Sequence, residues 1–388
     1  MRSIHLLQAG LAPVTREATA GFRELAGQAV RDALEHPGSP LKPTLLVAGS
    51  MLSGVLGHQQ QLAALLADEA GLTDVEAITV EAACASGGAA ALTAFRALQS
   101  GACDIALIVG AERMSHVAVS TATRGLAMAS DWDREGAHGA TFVSLNAALM
   151  REWLTRYGRK AEELAPFPVL AHANAQTAPH ACFRKALSVE DYCSSRVLDP
   201  PLRLLDASPI CDGAAALLAV AETESTRPLL EQGIPIRVSG MASQVDTLAQ
   251  KDRKDLLALR AAAGSMRRAL AMAGRDVRDL DLLEVHDAYS IMAALALEVC
   301  GVSAPGQSVD DAAAGRFRLD GELPIATFGG LKARGHPVGA TGVYQLAEAM
   351  LQLQSRAGDN QVRGARTAAT QNIGGVGTTV TSFILERT

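Results

Sequence analysis

Cys84 combines a residue type and a position that are suited to covalent chemistry. It lies in VEAACASGGAAALTAFRALQSG, between a β-branched, strand-like run and an alanine-rich helical pattern. A thiol in the first turn of a helix lies at the positive end of the helix dipole, which favours the nucleophilic thiolate. The small residues that follow would let a substrate approach the backbone N–H groups. The alternative is a buried cysteine that packs as a small hydrophobic residue, as free cysteines commonly do.

Two histidines lie in segments that suit such a nucleophile. His336 is in GGLKARGHPVGATG, where five glycines in fourteen residues leave the backbone open for a ligand or for positive φ angles. His286 is in EVHDAYS, at the end of an apolar strand pattern, where active-site groups of α/β folds often emerge. Each could instead be structural, as an incidental imidazole in a turn or a hydrogen-bonded core histidine. TQNIGGVG, at 370–377, is a second glycine-rich turn that could also be a tight hairpin.

Strand-like and helical patterns alternate over most of the chain, which predicts an α/β fold with buried strands. TLLVAGSM, AITVEAA and DIALIVGAE are short apolar runs with helical patterns between them. The second half repeats this order, and its turn at His336 corresponds to the corner at Cys84. Between about 115 and 205 the pattern changes to a helical, loop-rich insertion. We therefore predict two similar halves, 1–230 with the insertion and 231–388, whose packing would bring the two corners together.

The composition is that of an ordinary globular protein. The formal net charge of −6 argues against nucleic acid and anionic membranes as partners, although a local basic patch could still bind an anionic substrate. No apolar run reaches the ~20 residues that a membrane span needs. The six cysteines are scattered, without a CxxC pair or Cys/His spacing for zinc, so we expect neither a metal site nor a disulfide framework. A reducing, cytoplasmic setting is the simplest interpretation.

Taken together, these segments resemble the thiolase superfamily, and the resemblance covers almost the whole chain. ACASGGAAA is similar to the family's nucleophile motif, and GAERMS to the segment that follows it. EVHDAYS occupies the place of the Asn-Glu-Ala-Phe block, GGLKARGHPVGATG is close to the Gly-His-Pro block, and QNIGGVG takes the place of the Cys-x-Gly block. The resemblance implies the thiolase fold, an α/β fold in which two similar halves form five layers, αβαβα, with a loop-domain insertion.

One long segment resembles a particular branch of this family. CFRKALSVEDYCSSRVLDPPLRLLDASPICDGAAALL is similar to the sterol-carrier-protein-type thiolases and the archaeal-like acetyl-CoA C-acyltransferases. Several members of this branch work with a separate zinc-ribbon and OB-fold subunit that helps to hold acyl-CoA. The resemblance therefore implies such a partner, with zinc only in that partner. It also implies coenzyme A as a substrate, no permanently bound cofactor, and a homodimer or higher oligomer of this chain.

The resemblance implies roles for individual residues. Cys84 would take the acyl group as a thioester, and His336 would help to activate it and donate to the thioester oxygen of the substrate. His286 stands in the block where biosynthetic thiolases have an asparagine that holds a water in this oxyanion site. The N–H groups of Cys84 and Gly374 would form a second oxyanion hole for the acyl-enzyme, because two oxyanions form in turn.

The sequence departs from the family at the second cysteine, which ordinary thiolases use as acid and base. Asn372 stands in its place, and the alternative position used by sterol-carrier-protein-type thiolases is Ala288. Since an amide does not transfer protons near neutral pH, another group must move the α-proton. His286 is the first candidate because imidazole titrates in the right range. Tyr289 and Tyr344 are further candidates by position, although Tyr344 could equally be a partly buried helix residue.

These features predict a CoA-dependent thiolase, an acyltransferase that cleaves or forms a 3-oxoacyl-CoA through Cys84. Arg124, Arg184 and Lys185 are candidate contacts for the anionic CoA, because they are cations of the loop region. The alternatives are a Cys-His-His ketosynthase for decarboxylative condensation, a retro-aldol thiolase relative with tyrosines as acid and base, and a non-catalytic scaffold or lipid carrier. Intact Cys84 argues against the retro-aldol relative. The intact histidines and glycine-rich loops argue against the scaffold.

Overall fold

The computed structural model describes residues 2–17, 20–35 and 42–388. Within these ranges, the strands in chain order are β1 (Ile4–Leu11), β2 (Leu45–Gly49), β3 (Glu76–Val80), β4 (Ile105–Glu112), β5 (Val197–Asp199), β6 (Leu202–Arg203), β7 (Gly213–Ala221), β8 (Ile236–Val245), β9 (Leu282–Glu284), β10 (Thr367–Gly374) and β11 (Thr379–Arg387). The α-helices are α1 (Phe22–Leu34), α2 (Leu62–Glu69), α3 (Ser86–Ser100), α4 (Val119–Ala127), α5 (Phe142–Tyr157), α6 (Pro166–Ala175), α7 (Val189–Ser194), α8 (Arg227–Leu230), α9 (Arg260–Ala273), α10 (Ser290–Val299), α11 (Ser308–Ala313) and α12 (Thr341–Leu353).

Nine strands form one hydrogen-bonded sheet in the order β3-β2-β4-β7-β1-β8-β11-β10-β9. The first five come from the first half of the chain and the last four from the second, and they join where His5 and Leu6 pair with Arg237 and Ile236. Both groups repeat one pattern. β1–β7 and β7–β4 are antiparallel and β4–β2 is parallel, just as β8–β11 and β11–β10 are antiparallel and β10–β9 is parallel. This repeat confirms the two similar halves, while the division at residue 230 stays a prediction.

The helices complete five layers. Successive side chains of a strand point to opposite faces of the sheet, and β2 shows what each face contacts. Leu46 and Ala48 share a hydrophobic core with α1 and α2, whereas Leu45 and Val47 share another with α3 and α12. α3 and α12 also pack against strands of the second half, whose other side is covered by α9. The two halves of the sheet, which join only at β1 and β8, thus alternate with helices in the order helix, half-sheet, helix, half-sheet, helix. This order confirms the predicted thiolase-type α/β arrangement.

The middle layer is held together by residues without bulky side chains. A Cβ atom at Gly110 of β4 would lie 2.7 Å from the Ala340 Cα, so the strand and the start of α12 approach at backbone distance. A Cβ atom at Gly87 of α3 would likewise lie 2.8 Å from the Gly339 carbonyl oxygen. This close approach brings the beginnings of α3 and α12 together.

The insertion predicted at about 115–205 contains α4 to α7 and the β5–β6 pair. α5 begins with a capping box, in which the Thr141 hydroxyl accepts from the Ser144 N–H (3.2 Å) and the Ser144 hydroxyl accepts from the Thr141 N–H (2.9 Å). The buried Trp153 of α5 donates to the Glu298 carboxylate of α10 (3.1 Å), which attaches the insertion to the second half. No helix in the described ranges has the length and apolarity that crossing a membrane requires.

Candidate active site

A cavity of about 720 Å³ lies where the beginnings of α3 and α12 meet the insertion. Cys84, His286, Tyr289 and His336 line it, so the structure brings together four of the seven residues predicted to act in catalysis. Most of the other lining residues are apolar, and nine of these apolar residues come from the insertion, namely Val117, Val119, Leu126, Phe142, Val143, Phe183, Leu198, Leu204 and Leu205.

Cys84 lies at a strained turn just before α3. The preceding residue, Ala83, has a φ of 53°, in the left-handed region that residues other than glycine rarely adopt. The Ser86 hydroxyl stabilises this turn, since it donates to the Ala83 carbonyl oxygen (2.6 Å) and accepts from the Ala82 N–H (2.9 Å). Because α3 begins at Ser86, Cys84 precedes the helix, which corrects the prediction that it lies in the first turn.

The surroundings of Cys84 favour the thiol over the thiolate. Burial, with a further contribution from the Glu112 carboxylate, raises the pKa of Cys84 to about 12. The N–H groups of Gly375 and of Cys84 itself lower this pKa, because they hydrogen-bond the sulfur. Burial thus opposes the thiolate that the sequence favoured. The predicted oxyanion donor Gly374 does not line the cavity, whereas the next residue, Gly375, does. The N–H groups of Cys84 and Gly375 are a donor pair suited to an oxyanion next to the sulfur.

Asn372 connects the second half-sheet to the turn that carries Cys84. Its side-chain nitrogen donates to the Cys84 carbonyl oxygen (3.0 Å), and its side-chain oxygen accepts from the Gly88 N–H (3.1 Å). Asn372 is buried and does not line the cavity. An amide suits this structural role because it offers a donor and an acceptor at once.

Hydrogen bonds assign the tautomer of His336. Its Nδ1 lies 2.7 Å from the Thr341 Oγ1, and the Thr341 hydroxyl donates to the Pro337 carbonyl oxygen (3.1 Å). Because that hydroxyl has one proton, Nδ1 is the donor and Nε2 is the acceptor. Burial lowers the pKa of His336 well below its ordinary value, and His286 and Arg334 act in the same direction. His336 is therefore a neutral imidazole whose Nε2 can accept a proton.

His286 has the opposite tautomer. Its Nδ1 accepts from the Ile373 N–H (3.3 Å) and lies 3.4 Å from the donating Asn372 side-chain nitrogen, so the proton is on Nε2. Burial, and to a lesser extent Arg334, lowers its pKa to about 3. The His286 and His336 rings stand edge to face with their centroids 5.1 Å apart. His286 is thus a hydrogen-bond donor beside the acceptor His336, which disagrees with the prediction that it takes up the α-proton.

The two candidate tyrosines have different surroundings. Tyr289 lines the cavity, and burial together with the neighbouring Cys84 raises its pKa above the ordinary range, so its hydroxyl stays protonated. Tyr344 is fully buried in α12 and donates to the Ala12 carbonyl oxygen (2.6 Å), while the Arg334 guanidinium carbon lies 4.7 Å from its ring centroid. Tyr344 does not line the cavity. Its prediction as an acid or base is corrected, because its hydroxyl is occupied in the core.

The three cations predicted to contact CoA do not line the cavity. The Arg124 guanidinium carbon lies 5.7 Å from the Trp132 ring centroid, and the Arg184 Nε donates to the Gln176 carbonyl oxygen (3.3 Å). Both arginines and Lys185 are exposed. Their prediction relied on charge and chain region alone, which do not determine the direction of a long side chain.

Three cations that the sequence analysis did not single out line the cavity instead, namely Arg16, Arg196 and Lys332. Arg16 and Arg196 are exposed, which puts them at the opening. Lys332 is only 2% exposed, and its Nζ donates to the Asp206 carbonyl oxygen. No sequence pattern distinguishes the two arginines from other surface cations. Lys332 could have been predicted to line the cavity, because it lies in the glycine-rich segment that contains His336.

Glu112 is a further residue that sequence reasoning missed. It ends β4 in the segment GAERMS, and its side chain is completely buried. Burial raises its pKa to about 7, although hydrogen bonds from Met51, Ser50 and other donors oppose this effect. The available signal was a carboxylate at the end of an otherwise apolar strand.

Two family models match this chain. The one described as "Thiolase, N-terminal domain" matches residues 13–223, and the one described as "Thiolase C-terminal domain-like" matches residues 242–387. The chain belongs to the thiolase family. This thiolase is an enzyme of the acyltransferase class.

Similar proteins agree with this assignment. The thiolase is 39% identical over 367 residues to an acetyl-CoA acetyltransferase of Methanothermobacter thermautotrophicus, with 94% of each chain covered. It is 30% identical over 300 residues to the benzoylsuccinyl-CoA thiolase subunit BbsB of Thauera aromatica, covering 77% of this chain and 76% of that protein. A solved structure described as an Ltp2-ChsH2(DUF35) aldolase covers 99% of this chain and 98% of its own, with a TM-score of 0.83 and 19% identity, which shows the shared fold.

Proposed function

We propose that this thiolase catalyses the CoA-dependent cleavage of a 3-oxoacyl-CoA, and the reverse Claisen condensation, with Cys84 carrying the acyl group. The observation that carries the proposal is the meeting of Cys84, His286 and His336 on one cavity, with an acceptor tautomer at His336 and a donor tautomer at His286. The acetyl-CoA acetyltransferase relative supports a CoA thioester as the substrate class.

The first half-reaction transfers the acyl group to the enzyme. The His336 Nε2 takes the Cys84 thiol proton as the sulfur attacks the C3 carbonyl carbon, and the N–H groups of Cys84 and Gly375 stabilise the oxyanion. The C2–C3 bond then breaks, and its electron pair forms an enolate whose oxygen accepts a hydrogen bond from His286 Nε2. The His336 imidazolium gives its proton to C2, which releases acetyl-CoA and leaves the shortened acyl group as a thioester on Cys84.

The second half-reaction transfers the acyl group to CoA. The CoA thiol gives its proton to His336 and attacks the Cys84 thioester, and the same two N–H groups stabilise the second oxyanion. The bond between the acyl carbon and the Cys84 sulfur breaks, and the sulfur takes back the proton from His336. His336 thus moves every proton, because His286 and Tyr289 are donors and Asn372 is occupied by backbone contacts.

A cleavage assay tests this function. Acetoacetyl-CoA and longer or aromatic 3-oxoacyl-CoAs would be supplied with CoA, and the shortened acyl-CoA would be measured. We expect CoA-dependent cleavage that falls about 10⁴-fold in Cys84→Ala. Cys103→Ala is the matched control, because Cys103 is also a buried free cysteine but does not line the cavity. Wild-type activity in Cys84→Ala would overturn the proposal.

Decarboxylative condensation is the second candidate function. The observation in its favour is that one imidazole accepts and the other donates, and Asn372 offers no second base. Decarboxylation creates the enolate without removing an α-proton, so it would need no such base. A malonyl-CoA substrate that reacts with the acyl-enzyme faster than acetyl-CoA does would favour this function over the thiolase reaction.

The proposed assembly includes a zinc-ribbon and OB-fold subunit that holds acyl-CoA, with zinc only in that subunit. Two comparisons support it: one relative is named as a subunit of a thiolase, and the similar solved structure is described as an Ltp2-ChsH2(DUF35) aldolase. Co-expression with a candidate subunit should increase activity and give a complex in size-exclusion chromatography. Full activity of the chain alone, unchanged by the subunit, would contradict this assembly.

Further proposals concern CoA, oligomerisation and location. Arg16 and Arg196 are the proposed contacts for the CoA phosphates, because they are cations at the opening of the cavity. Substituting both arginines by Gln should raise the KM for CoA without lowering kcat.

The oligomeric state and the location are also proposals. We expect a homodimer or higher oligomer, which light scattering would measure, and a cytoplasmic location, which cell fractionation would test.

A further inference from the structure

The Glu112 carboxylate binds four donors from two other segments. Oε1 accepts from the Ser50 hydroxyl (3.0 Å) and the Leu52 N–H (3.2 Å). Oε2 accepts from the N–H groups of Met51 (2.8 Å) and Gly339 (3.0 Å). The side chain is completely buried, so these bonds replace its hydration.

Of the two segments held by Glu112, one packs against the turn that carries Cys84 and the other contains His336. Ser50 to Leu52 follow β2, whose last residue, Gly49, packs so closely that a Cβ there would lie 2.6 Å from the Ser86 carbonyl oxygen. Gly339 belongs to the segment 329–342 that contains His336, and a Cβ there would lie 2.5 Å from the Ser50 Cα. Glu112 therefore stands at the junction of the turn that carries Cys84 and the segment that carries His336.

We propose that Glu112 is a positioning residue, whose hydrogen bonds to two segments fix the turn that carries Cys84 relative to the segment that carries His336. This inference deepens the proposed function and rests on it. Glu112→Asp keeps both carboxylate oxygens but shortens the side chain, whereas Glu112→Gln keeps the length but replaces one acceptor by a donor.

The experiment measures kcat, KM and the rate at which iodoacetamide alkylates Cys84, with the labelled peptide identified by mass spectrometry. In both variants, we expect kcat to fall about 10²-fold with little change in KM, while Cys84 is still alkylated. Glu298→Gln is the matched control, because Glu298 is also buried but binds Trp153 and Ser308 away from the cavity.

The outcomes separate this inference from the proposed function. Wild-type kcat in both Glu112 variants would overturn the inference, and so would a loss that appears mainly as a raised KM. If Glu112→Gln does not fold, wild-type kcat in Glu112→Asp would still overturn it. If alkylation of Cys84 leaves the wild-type enzyme active, the proposed function fails instead.

Discussion

The turn that carries Cys84 and the segment that carries His336 occupy equivalent places in the two halves, but they are built differently. α3 leads from Cys84 into β4, and α12 leads from His336 into β10. The sequence around Cys84 is ACASGG, without a charged side chain, and Asn372 of the other half holds it. The segment of His336 contains its own buried cations, Lys332 and Arg334. The first half thus surrounds the nucleophile Cys84 with small residues, whereas the second half supplies the buried polar and charged groups around His336.

The largest effect should separate the two histidines. His336→Ala removes the proton acceptor and should lower kcat about 10³- to 10⁴-fold, whereas His286→Ala removes one oxyanion donor and should lower kcat about 10²-fold. Steady-state kinetics measures both losses, and thermal unfolding shows that the variants are folded. Equal losses would contradict the assignment of opposite tautomers.

The next effect should separate the two buried cations of the His336 segment. The Arg334 Nε is 3.1 Å from the Glu348 carboxylate, so Arg334→Met leaves this buried charge with only His180 as a partner and should cost about 3 kcal/mol of unfolding free energy. Among the described residues, no carboxylate oxygen lies within 4.0 Å of the Lys332 Nζ, and Lys332→Met should cost about 1 kcal/mol or less. Urea unfolding measures both values. A larger loss for Lys332→Met would show that its contact with Asp206 dominates.

Acid should destabilise the protein through its buried imidazoles. The pKa of His286 is lowered from 6.5 to about 3, so below pH 6.5 the unfolded chain binds a proton that the folded chain does not. Stability is therefore lost as the pH falls from 6.5 towards 3, by about 2 kcal/mol down to about pH 5 for this residue. Urea unfolding of the wild type and of His286→Asn would be measured at about pH 6.5 and about pH 5. Between these pH values, the variant should lose less unfolding free energy than the wild type. An identical loss would mean that other groups titrate in this range.

The smallest effect should separate the two tyrosines. Tyr344→Phe leaves the Ala12 carbonyl oxygen without its donor and should cost about 1 kcal/mol of stability with unchanged kcat. Tyr289→Phe should leave stability nearly unchanged and lower kcat about tenfold, because Tyr289 offers a donor to the cavity. Chemical unfolding and kinetics would be measured on both variants. A reduced kcat in Tyr344→Phe would restore it as an acid or base candidate.

The repeated halves and the meeting of the cavity residues could be predicted from the sequence, because they depend on local patterns. Cys84 and His336 each stand next to small residues at the start of a helix, and a repeated α/β unit places such corners together. His286 follows a short apolar strand, so its position near the sheet edge was also readable. These signals do not depend on side-chain partners far away in the chain.

The functions of individual side chains could not be predicted, because they depend on contacts between distant segments. The tautomer of His286 follows from the Ile373 N–H, which is 87 positions away. In the sequence, Glu112 is an ordinary charged residue at the end of a strand. Its role depends on the hydrogen bond that it accepts from the distant Gly339 N–H. Arg16 and Arg196 differ from other surface arginines only through their place at the opening. Long-range contacts of this kind leave no periodic pattern in the sequence.

The most direct test of the account is the detection of an acyl group on Cys84. The enzyme would be incubated with acetyl-CoA alone, quenched with acid and digested, and the peptides analysed by mass spectrometry. The account predicts one acetyl group per chain on the Cys84 peptide, removed when CoA is added. A fully active enzyme that carries no acetyl group on Cys84, together with an equally active Cys84→Ala variant, would contradict it.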